Sequence, residues 1–210
     1  SGAWVRAAAD VPLPCQGADH LREWIDNTCW VPTCSVLWHR SVYAATGGWD
    51  ETLTLDDDAD LMMRALLDGV ALAVADGGES YYRDHGTSLV SVSKNLFSAK
   101  PLESRVRILD KLAAALAARG ALPRYAVALG AAYQRAAMAG YQQGWIALGR
   151  ACQSRGEALA GPQPASRTRA GRALCAILGL ERKERAVRAL AACGLGPRWR
   201  RDRTRLRAAQ

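Results

Sequence analysis

Residues 47–75 read GGWDETLTLDDDADLMMRALLDGVALAVA. The two leading glycines mark a turn, because only glycine accepts unusual backbone angles without cost. Asp56 or Asp57 is expected to cap a helix running to about Asp68, and Gly69 stands where a C′ glycine belongs. Carboxylates in the first turn suit the positive end of the helix dipole. Asp60 and Arg64, four residues apart, are expected to pair on one face. The six apolar residues Val70 to Ala75 then read as a buried strand. A helix followed by a buried strand predicts an α/β layer rather than a helical bundle.

Moving outward, His20 to Asp26 reads as a short helix with Asp19 as its N-cap. Thr33 to Trp38 reads as a buried strand or the turn into one. Ser41 to Ala45 reads as one or two helical turns stopped by Gly47-Gly48. Tyr81 to Arg83 is a second short strand candidate. Beyond residue 100 the texture changes. Val106, Leu109, Leu112 and Leu116, then Ala126, Leu129, Ala132 and Tyr133, recur at helical spacing, with Gly120 and Pro123 between the two groups. Two or three antiparallel helices in short hairpins are expected there. The break Gly161-Pro162-Gln163-Pro164 opens a basic helical tail. The expected division is therefore 1–100, 101–160 and 161–210.

With 210 residues, half of them apolar, the chain can bury a core and form one or two domains. It contains no run of about 18 apolar residues of the kind that crosses a membrane. The N-terminus reads as no signal peptide, and the missing initiator Met suggests a fragment. Six cysteines occur without a C-x-x-C pair or a histidine at zinc-finger spacing. They are expected to be small buried hydrophobes in a reducing, cytoplasmic setting. The net charge of +8 is uneven: from Ser166 onward 13 Arg and Lys outnumber 3 Asp and Glu, so the tail carries +10 and the body −2.

The acidic run needs a chemical reading. Asp56, Asp58 and Asp60 alternate as in a calcium loop, but Leu61 stands where that loop requires glycine and Leu67 where it requires the bidentate Glu. Taken alone, the run reads as a solvated, well-capped helix start. Its surroundings add order: Gly47-Gly48-Trp49-Asp50-Glu51, then Asp57-Asp58-Ala59-Asp60-Leu61 with Arg64, then Gly69, then Tyr82-Arg83-Asp84-His85 and Ser88. This order resembles family 2 glycosyltransferases of the GT-A fold, whose pattern runs G-G-[F/W]-D-E, [E/D]-D-x-D-L with a following Arg, G, and Y-R-x-H with a nearby Ser. Cys34 to Arg40 resembles the strand and basic turn that precede the double glycine. The resemblance covers roughly residues 20 to 95.

The resemblance implies a partial GT-A-type mixed sheet with flanking helices, the acceptor-side half of the enzyme, followed by an α-helical C-terminal region. It implies that Asp58 is the general base for an acceptor hydroxyl. Asp57, where the family often has Glu, would orient the loop or the acceptor. Asp60 and Arg64 would be structural. Trp49 would wall the sugar site, with Asp50 beside it as a second substrate-binding residue, and Arg83 would contact phosphate. His85 would help hold a divalent metal, Mg or Mn, that offsets charge on the nucleotide-diphosphate leaving group. The implied partners are a nucleotide-sugar donor and a saccharide or lipid-linked acceptor of the cell envelope.

The family's donor half, with its D-x-D metal motif, has no counterpart in the roughly 30 residues before Thr33. The chain is therefore expected to be inactive alone, with most metal ligands supplied by a missing N-terminal half. Two other readings stay open. One is a non-catalytic helical interaction module. The other is a basic protein that binds nucleic acid or a membrane surface through its tail. Nucleic acid is not expected, because no recognised motif is present and few aromatics are available to stack. The tail can lie on an anionic membrane at its cytoplasmic face, or pack its apolar stripe on the body as a solvated helix.

Overall fold

The computed structural model describes residues 17–29, 31–75, 80, 98–162 and 168–193. The chain divides into two compact units, Ser1–Lys94 and Asn95–Gln210. Regions 101–160 and 161–210, separated in the sequence reading, thus belong to one unit.

In the first unit, α1 (His20–Asp26) begins at Asp19, whose Oδ1 accepts the Arg22 N–H at 3.1 Å. A 3₁₀ turn at Thr33–Ser35 follows, then α2 (Arg40–Ala45) and α3 (Asp57–Leu67). The α1 side chains Leu21, Trp24 and Ile25 pack toward α3, which buries Leu61, Met62, Met63 and Ala65. Three of these α3 residues are consecutive, so burial extends round most of the helix rather than along a single face.

The second unit is helical throughout its described residues: α4 (Lys100–Ala118), α5 (Leu122–Gln143), α6 (Ile146–Ala160), α7 (Arg169–Leu178) and α8 (Leu180–Ala192). Pro101 and Pro123 stand in the first turns of α4 and α5, where a missing N–H costs nothing. The expected face of α4 is buried at Val106, Leu109, Leu112 and Leu116. On α5, Leu129, Ala132 and Tyr133 are buried. Helices α5 and α6 approach at glycines. A Cβ on Gly130 would lie 2.6 Å from the Ala160 Cβ, and one on Gly149 would lie 2.6 Å from the Tyr141 ring. The turn between them uses Gly144 at φ +87°. Asp110 of α4 accepts the Tyr133 hydroxyl at 2.6 Å and pairs with Arg155 of α6 at 3.1 Å, so one carboxylate ties three helices. Arg150 of α6 grips Glu181 of α8 with two bonds, 2.7 and 2.8 Å.

The expected mixed α/β fold does not form. The described residues are 71% helical and contain no strand. Val70 to Ala75 lies in no sheet and is mostly exposed, whereas a buried strand was expected. Thr33 to Trp38 is a 3₁₀ turn that opens into extended chain at Val36. A strand exists only when a partner strand takes its backbone donors and acceptors, and an apolar run carries no information about that partner. Tyr81 to Arg83 lies outside the described residues. Of the five described cysteines, Cys29 and Cys152 are buried as expected, but Cys34 and Cys193 are exposed. No helix among the described residues is long and apolar enough to cross a membrane.

Candidate active site

The site is built around the start of α3. Thr46 is the C-cap of α2, and Gly47 and Gly48 after it both take positive φ, 79° and 72°. At Gly48 a Cβ would also lie 3.0 Å from the Tyr43 hydroxyl, a tight approach that adds to the strain of the angle. Arg64 then fastens this turn to α3. Its guanidinium donates to Asp60 Oδ2 at 2.9 Å, to the Gly48 carbonyl at 2.7 Å and to the Thr46 carbonyl. Asp60 is only 2% exposed. A buried charge is tolerated when it is paired and hydrogen-bonded, and Asp60 with Arg64 meets that condition. The structural role expected for both residues matches this geometry.

Asp58 stands differently. It is half-buried, in the first turn of α3. Its Oδ2 accepts the Thr33 hydroxyl at 2.9 Å, and its Oδ1 accepts the Ala59 N–H at 2.8 Å. The Thr33 bond spans 25 residues and ties the 3₁₀ turn to the helix start. An ionised carboxylate offers about four lone-pair sites, so acceptor capacity remains on both oxygens. Asp57, the next residue upstream, is exposed.

Asp56 occupies the N-cap position but not in the expected manner. It adopts a left-handed conformation, φ 59° and ψ 25°, and makes no side-chain cap bond. The carboxylate of a capping residue reaches the helix N–H groups from an extended backbone, which Asp56 does not have. Asp50 folds back locally: its Oδ1 accepts the Thr52 N–H at 3.0 Å and the Thr52 hydroxyl at 2.6 Å. That oxygen is therefore engaged in a turn. Trp49 is half-buried beside it.

A cleft of about 580 Å³ opens next to Thr33, lined by Cys34, Val36, Trp38, Met62, Leu72 and Ser80 among others. Ser35 Oγ and Ser80 Oγ lie 2.5 Å apart across one end of it. Asp58 does not line this cleft; it is linked to it through Thr33, the neighbour of Cys34.

The structure brings Asp57 and Asp58 together at one helix end, with Trp49 and Asp50 on the preceding loop of the same unit. Arg83 and His85 lie outside the described residues. Among the described residues no group of three His, Cys, Asp or Glu side chains could hold a metal ion, so no chemical step is assigned to a metal here. Thr33 was not singled out in the sequence, and no local signal marks a hydroxyl that acts on a carboxylate so far along the chain. Burial pushes the Cys152 thiol up to about 11, and burial with the nearby Glu181 charge pushes the Tyr141 hydroxyl up to about 12. No protein-family model, no curated protein and no solved structure matches this chain.

Proposed function

We propose that the first unit carries the acceptor side of a glycosyl transfer from a nucleotide-diphosphate sugar, with Asp58 as general base. The supporting observation is the division of labour within one acidic run. Asp60 is buried and bound to Arg64, whereas Asp58 is half-exposed, positioned by Thr33, and keeps free acceptor sites on its oxygens. A sugar hydroxyl is a weak nucleophile at neutral pH, and a carboxylate held within hydrogen-bond reach remedies this. The hydroxyl proton passes to an Asp58 oxygen as the hydroxyl oxygen attacks the anomeric carbon and the nucleoside diphosphate departs. Asp57, exposed at the same helix end, orients the acceptor, and Trp49 and Asp50 border the sugar. Phosphate contact by Arg83 and metal binding through His85 rest on the order of the sequence alone.

The acceptor is a saccharide or a lipid-linked saccharide of the cell envelope. Asp58→Asn is expected to lower transfer from UDP-, GDP- or dTDP-sugars by about 10²-fold or more. Unchanged transfer would remove Asp58 as the base. Nucleotide binding is assigned to no described residue. Calorimetry of this chain alone is therefore expected to detect no tight sugar-nucleotide binding, and a micromolar complex would contradict that assignment.

A second reading is favoured by one observation, the lack of any strand among the described residues. It makes the chain a non-catalytic helical interaction module, for which Asp58→Asn is without effect on transfer.

A further inference from the structure

Helix α7 has the sequence RAGRALCAIL. At 100° per residue, Ala170, Leu174, Ile177 and Leu178 share one side, and Arg169 and Arg172 fall outside that arc. A helix of a packed domain turns such an apolar side inward. Here it faces solvent: Ile177 is 78% exposed, Leu174 45% and Leu178 39%, and Gly171 is the helix's buried residue. Exposed apolar stripes of this kind mark interaction surfaces.

The charge beside the stripe identifies the partner. Helix α8 buries Leu180, Glu184 and Ala191, so Arg182 and Arg185 stand on its opposite, exposed side. Leu178, Arg182 and Arg185 line one cleft, which puts the apolar end of α7 next to the basic side of α8. Across residues 168–193, five Arg and one Lys stand against two Glu, a net +4. Both acids are already engaged, Glu181 with Arg150 and Arg185, and Glu184 with Lys183. The outward charge is therefore positive.

We propose that α7 and α8 dock the protein on an anionic lipid bilayer, with Ile177 and Leu174 entering the boundary between headgroups and acyl chains and Arg169, Arg172, Arg182 and Arg185 meeting lipid phosphates. Apolar residues flanked by arginine are the chemistry of helices that lie in a membrane interface. At ten residues α7 spans about 15 Å, half of a hydrocarbon core, so it lies on the bilayer rather than crossing it. A second copy of the chain would set +4 against +4. Nucleic acid would leave the aliphatic stripe unused, and residues 168–193 hold no aromatic side chain to stack on a base. Docking is independent of the chemistry assigned to the first unit.

The test is flotation of the full chain with vesicles of phosphatidylcholine alone and of phosphatidylcholine mixed with phosphatidylglycerol. The protein is expected to float with the mixed vesicles and not with the neutral ones, and to be released by added salt. Ile177→Asp is expected to weaken partitioning by about tenfold or more, with circular dichroism unchanged because the residue is already exposed. Arg169→Gln with Arg172→Gln is expected to weaken it by about fivefold per charge. Equal flotation with both vesicle types, no flotation with either, or full flotation of Ile177→Asp would overturn the proposal. So would a dimer in sedimentation that Ile177→Asp abolishes, or salt-labile retention on duplex DNA that survives that substitution.

Discussion

Asp58, Asp60 and Arg64 carry different loads although they lie within seven residues. Asp60 and Arg64 form a nearly buried pair that also holds the Thr46 and Gly48 carbonyls. Arg64→Ala would leave the Asp60 carboxylate buried without that partner and release the double-glycine turn. Chemical denaturation is expected to register a loss of about 3 kcal/mol, and a loss below about 0.5 kcal/mol would show that the pair does not hold the turn. The pairing itself was legible in the sequence, because residues four apart on a helix are neighbours. The two carbonyl bonds were not, since they depend on where a turn sixteen to eighteen residues upstream comes to rest. Thr33 was hidden for the same reason. Of Asp56 and Asp57, the two capping candidates, Asp56 takes the N-cap position but without a side-chain cap bond, because propensity fixes the residue type at a helix start and not the backbone angle.

Helices were read well, and strands were not. The apolar spacing of α4 and α5 is internal to each helix, so the sequence carries it, and α3 is marked by its acidic start and the glycine after it. The run Val70 to Ala75 needed a neighbour to become a strand, and its composition could not supply one. The glycines of the α5–α6 hairpin were equally silent, because close approach depends on the facing helix. Gly149→Ala would drive a methyl into the Tyr141 ring, and a loss of about 1–3 kcal/mol is expected in a thermal melt. A stable Gly149→Ala protein would mean that the hairpin can spread. Glu181 links α6 to α8, and its hydrogen bonds from Arg150 hold its carboxyl below the usual range. A depressed carboxyl contributes stability above its unfolded value, near 4.3, and that contribution fades as pH falls through the lower folded value. Glu181→Gln is therefore expected to melt slightly lower than the parent at neutral pH and equal to it in strong acid. A gap between the two melts that stays constant with pH would exclude the linkage.

At the scale of the molecule, the chain divides into two units. The second is a helical assembly whose last helices present arginine and exposed aliphatic side chains. The charge asymmetry that marks it was plain from composition, and which residues face outward required the packing of α8 on α5. The first unit holds the acidic run, and its proposed chemistry depends on two neighbouring carboxylates having opposite duties. That separation is tested most directly by measuring both sugar transfer and thermal melting for the Asp58→Asn and Asp60→Asn proteins. Asp58→Asn is expected to lose transfer by about 10²-fold or more while keeping the parent melting temperature, and Asp60→Asn to melt several degrees lower. Parent-like transfer by Asp58→Asn, or a melting loss in that variant as large as in Asp60→Asn, would contradict Asp58 as the base.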